Sequence, residues 1–180
     1  MKILLVTDAY PPEIRSASHL MFELAQGLKD RGHQVSVVTS WPQYNLEDGA
    51  NISSILPYQV EEGITVLRIK TLPHHKVAYI LRGISQLLLP FFFIRKIKKH
   101  KLDKPDVVMV YTPPLPLARV GAFLKKRGAR FILNVQDLFP QNAIDLGVLN
   151  NSFLISFFRR MERQAYTAAD LITGHSEGNT

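Results

Sequence analysis

The residues best placed to do chemistry lie between Asp8 and Ser18. Asp8-Ala9-Tyr10-Pro11-Pro12-Glu13 follows an uninterrupted apolar run, Lys2 to Thr7, and leads into Arg15-Ser16-Ala17-Ser18. Two prolines lack backbone donors and lock φ, so the run cannot continue as a strand through them. Ser16 is a plausible N-cap for a following helix. The stretch from Asp8 to Ser18 therefore sits as a loop between an apolar run and a helix start, where a ligand could bind.

Other chemistries lack their residues. There is no cysteine among the 180 residues, which removes disulfides, thiolate metal ligands and a thiol nucleophile. No G-x-G-x-x-G follows the first apolar run, and no P-loop, G-x-S-x-G elbow, D-x-D or H-E-x-x-H is present. No metal is expected. His74 and His75 are adjacent on a loop and cannot both face one ion. His33, beside Gly32, is read as structural.

The elements that must position Asp8 to Ser18 follow from periodicity. Lys2 to Thr7 is too short to span a membrane and reads as a buried parallel strand. Ala17, Leu20, Met21, Leu24, Ala25 and Leu28 fall on one helical face, ended by Gly32. Gln34 to Thr39 is a second β-branched strand, and strand, helix, strand is the unit of a right-handed parallel α/β sheet. In such sheets ligands bind outside the carboxyl ends of the strands, where Asp8 to Ser18 sits.

The alternation continues. Trp41 to Pro57 reads as a long loop, Tyr58 to Glu61 and Ile64 to Lys70 as strands about Glu62-Gly63, and Val107 to Tyr111 as another buried strand. Pro116 to Arg127 is expected as a helix with Leu117, Val120, Gly121 and Leu124 inward and Gly128 as its stop. Phe131 to Val135 follows as a strand. Ser152 is a candidate cap for a helix with Leu154, Phe157, Phe158, Met161 and Ala165 on one face, and Leu171 to Thr173 begins one more strand. The expected fold is α/β, a Rossmann-like parallel sheet with helices on both faces, in one domain. After Leu171 to Thr173 a glycine-containing turn begins at Gly174, and the expectation is the first half of a longer protein cut at a domain boundary, with a disordered tail as the alternative.

The formal charge of +7, from 22 basic and 15 acidic residues, favours polyanions. Much of it falls in Arg95, Lys96, Lys98, Lys99, Lys101 and Lys104, directly after Val77 to Ile94, an 18-residue run rich in Leu, Ile and Phe but interrupted by Arg82, Ser85, Gln86 and Pro90. Arg82 and the break a spanning helix would make in the α/β alternation argue against a membrane span. Two readings stay open: an interfacial anchor on an anionic leaflet, through Arg82, Phe91, Phe92, Arg95, Lys96, Lys98 and Lys99, or a buried crossover helix with a solvated cationic end. Nucleic acid is disfavoured, because the basic residues form one short run without aromatics interleaved on strands. One lysine and five apolar residues before Asp8 do not make a secretory signal. The expected location is cytoplasmic, peripheral on the inner face of the cytoplasmic membrane.

Four segments in order carry a resemblance: YPPE at Tyr10 to Glu13, LKDRGHQVSVVTSWPQY at Leu28 to Tyr44, NVQDLFPQNAIDLGVL at Asn134 to Leu149, and MERQAYTAADLITGHSEG at Met161 to Gly178. Together they resemble the amino-terminal half of glycosyltransferase family 4, over nearly the whole chain. The DLFPQNAIDLGVL segment is most similar to the bacterial branch that adds an amino sugar, fucosamine included, to a lipid-linked sugar for capsule, O-antigen or exopolysaccharide.

The resemblance implies a GT-B architecture of two Rossmann-like domains. Residues 1–180 would be the amino-terminal, acceptor-side half, the nucleotide sugar being held by a carboxyl-terminal domain absent from this chain, which alone would be inactive. It implies a retaining, metal-independent reaction with no cofactor, a nucleotide-sugar donor and a polyprenyl-diphosphate-linked saccharide as acceptor. In the family, two glycines after the first strand approach the donor diphosphate; Arg15-Ser16-Ala17-Ser18 stand there, so Ser16, Ala17 and Ser18 would approach it, with Ser16 alternatively only a helix cap. Glu13 and Arg15 would contact acceptor, Glu13 alternatively being solvated. The family's His-Asp after the strand matching Phe131 to Val135 is Gln136-Asp137 here. Glutamine hydrogen-bonds but takes up no proton at neutral pH, which leaves Asp137 as the charged catalytic participant, or as the cap of the Leu138 to Ala143 turn. Tyr111 and Thr112 would line the same cleft, Tyr111 also reading as core. The rival readings are a non-catalytic module that docks a membrane or polyanion, and a GT-B nucleotide-sugar epimerase.

Overall fold

The computed structural model describes residues 1–43, 45–72 and 79–174. Its elements are β1 (Lys2–Val6), α1 (Ser16–Asp30), β2 (Gln34–Ser40), β3 (Tyr58–Glu61), β4 (Ile64–Ile69), α2 (Tyr79–Lys99), β5 (Val107–Thr112), α3 (Ala118–Lys125), β6 (Arg130–Val135), α4 (Gln141–Asp145), α5 (Ser152–Ala168) and β7 (Leu171–Thr173). His74, His75, the first two residues of the apolar run at Val77, and residues 175–180 lie outside the described residues.

The strands form one sheet in the order β3-β4-β2-β1-β5-β6-β7. Every pairing is parallel except β3 with β4. That exception is a tight hairpin: Glu62 at φ 49° and Gly63 at φ 82° supply the two positive φ angles its two-residue turn requires. The parallel strands read as continuous apolar runs because both faces are covered. On β1, Leu4 and Val6 join one core with α2, α3 and α5, while Ile3 and Leu5 join the other with α1. The largest fully buried side chains include Phe93, Phe131, Leu4, Leu89 and Leu133, each stabilising the fold by roughly 1.5–3 kcal/mol relative to an exposed position.

The structure corrects several local expectations. Arg15, in extended conformation, holds the N-cap position of α1 with no side-chain cap, and Ser16 is the first helical residue. In α5 the cap is Asn151, whose side chain accepts from the Leu154 N–H, one residue before Ser152. A cap must precede the first helical turn, and each serine stands one residue too late. On α1, Ala17, Met21 and Ala25 are buried, but Leu20 is 47% exposed. On α5, Met161 and Ala165 are buried and Phe158 packs on the core, whereas Leu154 and Phe157 face outward. The helix expected from Pro116 begins at Ala118 after a 3-10 turn at Leu115–Leu117, and a short helix, α4, occupies part of the stretch expected as a turn after Asp137.

Candidate functional site

The carboxyl ends of β1, β5 and β6 open onto a cleft of about 740 Å³ lined by Arg15, Ser16, Ala17, Leu20, Tyr111, Pro113, Gln136 and Asp137. β1 delivers the loop to Arg15, β5 ends at Tyr111-Thr112, and β6 ends just before Gln136. Pro113 and Pro114, directly after β5, stop that strand continuing and turn the chain away from the sheet edge. Six of the residues expected from sequence meet here: Arg15, Ser16, Ala17, Tyr111, Gln136 and Asp137.

Buried polar groups hold the first loop in place. The Arg15 guanidinium lies 3.5 Å from an Asp8 carboxylate oxygen and 3.7 Å from one of Glu13. Asp8 also accepts a hydrogen bond of 2.7 Å from the Ser40 hydroxyl, and Glu13 one of 2.8 Å from the Gln43 N–H. Beneath the loop, buried Arg68 donates to the Pro11 carbonyl at 2.8 Å and is ion-paired with Glu61. Burial pushes the Glu61 carboxyl up, but hydrogen bonds from Arg68 and Gln59 outweigh it and hold the group below its ordinary value.

Glu13 is therefore not a solvated side chain, and it lies behind the lining of this cleft. It is 4% exposed, absent from the cleft lining, and bound to the loop that follows β2. Ser18 and Thr112 are also buried and do not line the cleft, the Thr112 hydroxyl donating to the Asn134 carbonyl at 3.1 Å.

Gln136 is fixed at both ends. Its backbone N–H donates to the Thr112 carbonyl at 3.0 Å and its side-chain amide to Asn134 Oδ1 at 2.6 Å. Asp137 is exposed, and its side chain makes no hydrogen bond or ion pair among the described residues. Position N-cap of α4 is Pro140, so Asp137 does not cap that helix. The Tyr111 phenol is held above its ordinary pKa by burial first and by the Asp137 charge second, against an opposing pull from Arg15. It stays protonated at neutral pH and can donate into the cleft.

Asp8 and Glu13 already oppose the Arg15 charge. An anion in the cleft would meet the start of α1, which has no acidic residue in its first turn and no side-chain cap, so that backbone N–H groups and the positive dipole end are left for it. Opposite them stand the free Asp137 carboxylate and the anchored Gln136 amide, which suit sugar hydroxyls. Sequence reasoning did not single out Leu20 and Pro113 in the lining, nor Ser40 and Arg68 as supports. A carboxylate ending a buried strand, as Asp8 does after Thr7, is the one local signal of that supporting network.

A second cavity, of about 430 Å³, lies at the opposite edge of the sheet beside Lys2, Gln34, Lys101 and Lys104 and holds none of the expected site residues.

Residues 19–178 match the family model described as a glycosyl transferase 4-like domain. The chain is 29% identical over 153 residues, 82% of its length, to "Putative colanic acid biosynthesis glycosyl transferase WcaI" of Escherichia coli (strain K12). It is 31% identical over 98 residues, 53% of its length, to "Probable glycosyltransferase WbjE" of Pseudomonas aeruginosa. These matches span 37% and 24% of the two relatives. The family match begins within α1 and runs through β7, covering the β5 and β6 ends of the cleft but not β1 or Arg15 to Ala17, and the chain belongs to the glycosyl transferase 4-like domain family.

Proposed function

We propose that this chain is the amino-terminal, acceptor-side half of a glycosyltransferase that moves a sugar from a nucleotide-sugar donor to a lipid-linked saccharide in bacterial polysaccharide synthesis. The observation that carries the reading is the cleft itself: an uncapped helix N-terminus, a protonated phenol, an anchored amide and a free carboxylate converge at the carboxyl ends of β1, β5 and β6. The N–H groups of Ser16 and Ala17 suit the donor diphosphate. Asp137 opposes the positive charge that develops at the anomeric carbon, and Gln136 and Tyr111 orient sugar hydroxyls. The similarity to the Escherichia coli protein named for colanic acid biosynthesis supports polysaccharide synthesis as the setting. A retaining, metal-independent reaction follows from the same family reading.

The test uses the full-length protein with nucleotide sugar and a polyprenyl-diphosphate saccharide. Release of nucleoside diphosphate, coupled to a lengthened lipid-linked saccharide of retained anomeric configuration and unaffected by chelator, is expected. Epimerised free donor, or an unaltered acceptor, would refute it.

A further inference from the structure

Helix α2 presents an outward column that the proposed transfer does not use. Leu81, Ile84, Leu88 and Phe91 recur at helical spacing and are 45%, 49%, 39% and 61% exposed, while Leu89, Phe93 and Ile97 on the opposite side are fully buried. The same column continues through Arg95 and Lys98, both exposed, with Lys96 and Lys99 beside them. Phe91, Ile94, Arg95 and Lys98 line a shallow groove of about 450 Å³, an apolar floor under two cations.

Sequence expectation is thereby sharpened. Phe91 faces out, whereas Phe92 packs on the core, and Arg82 falls in the core-side column of Leu89 although it is exposed.

Charge complementarity identifies what covers this column. No acidic residue occurs from Tyr79 to Leu102, and the next, Asp103, is tied to Arg127 at 2.5 Å. Arg95, Lys96, Lys98 and Lys99 form no ion pair among the described residues. An apolar stripe followed by uncompensated cations fits the boundary between acyl chains and anionic headgroups, with the helix lying in the membrane plane. Among the described residues no helix is long and apolar enough to cross a membrane, so the contact is one of docking. Because α2 joins the carboxyl end of β4 to the amino end of β5, its apolar half lies toward the sheet edge that bears the cleft.

We propose that the Leu81-Ile84-Leu88-Phe91 stripe and the Arg95, Lys98 cations dock the protein on an anionic bilayer leaflet, with the cleft edge of the sheet nearest the inserted apolar half. The docking does not depend on the transfer reaction. The full-length protein is sedimented with vesicles of phosphatidylcholine alone and of equimolar phosphatidylcholine and phosphatidylglycerol. Binding to the anionic vesicles alone is expected, weakened by salt.

Arg95→Gln/Lys98→Gln should weaken it about thirtyfold, at roughly fivefold per basic residue at such a surface. Phe91→Ser should weaken it by a salt-independent factor. All three side chains are exposed, so unchanged thermal unfolding verifies that each variant is folded. Failure to bind anionic vesicles, or undiminished binding by the Arg95→Gln/Lys98→Gln variant, overturns the proposal. A changed oligomeric state in Phe91→Ser, without vesicle binding by the parent, assigns the stripe to a protein partner and overturns it too.

Discussion

Replacing Gly121 by alanine tests how β6, which carries Gln136 and Asp137, is held under α3. A Cβ at Gly121 would meet Phe131 at 2.1 Å from Cε2, 2.4 Å from Cδ2 and 2.5 Å from Cζ, where ordinary contact is 3.4–4 Å. The ring is fully buried, and its backbone is pinned by the β5–β6 ladder and by Asp170, which accepts the Phe131 N–H at 2.8 Å. Relief therefore requires ring or helix to move by more than 1 Å, on the arithmetic of those distances. Overpacking of a core costs about 1–3 kcal/mol, and this case belongs at the upper end. Alanine returns roughly 1 kcal/mol in helix propensity. The net loss is about 2 kcal/mol, or about 4–8 °C in Tm for a domain of this size.

Thermal and urea unfolding read it directly. In a Phe131→Val background all three clashing atoms are gone, and the same Gly121→Ala change should be neutral or stabilising. A Gly121→Ala protein as stable as the parent, or an equal penalty in both backgrounds, would refute the packing of α3 on β6 described here.

Two further outcomes follow from local geometry. Asn151→Ala should cost about 1 kcal/mol in urea unfolding, because it removes the α5 cap, whereas Ser152→Ala should cost far less; comparable losses would refute the cap assignment. Asp170 ties the β7 end to Lys125 at 2.7 Å and to the Phe131 N–H, and the Lys125 hydrogen bond, ahead of the backbone one, holds its carboxyl below the ordinary value. A lowered folded-state pKa contributes stability that is present above the unfolded carboxylate value and is lost as pH falls through the folded one. Asp170→Asn should thus be less stable than the parent at pH 7, with the gap closing as pH falls below about 4; a gap independent of pH would refute the linkage.

The sheet was legible in sequence because parallel strands covered on both faces are written as unbroken apolar runs, as in Lys2 to Thr7 and Val107 to Tyr111. The cleft was legible because such sheets bind at their carboxyl edge, and Arg15, Tyr111 and Asp137 all follow strand ends. What escaped depends on contacts distant in sequence. Glu13 turns inward because the Gln43 N–H and the Arg15 guanidinium await it there, and no local pattern encodes either partner. Leu20 fits the apolar face of α1 in spacing, yet it borders the open cleft at the helix start rather than the sheet. The outward residues of α2 and α5 match the inward ones in type, so composition alone could not say which face was buried.

The central claim is that the cleft transfers a sugar with Asp137 as its charged participant. It is tested most directly by comparing Asp137→Ala, Asp137→Asn and parent full-length protein for sugar transfer to the lipid-linked acceptor, at matched thermal stability. Asp137 is exposed and unpaired among the described residues, so neither change should unfold the protein. The account predicts that both variants lose at least about a hundredfold in kcat/KM, the lower end of what one positioned ionisable group contributes. Turnover by either variant equal to that of the parent would contradict it.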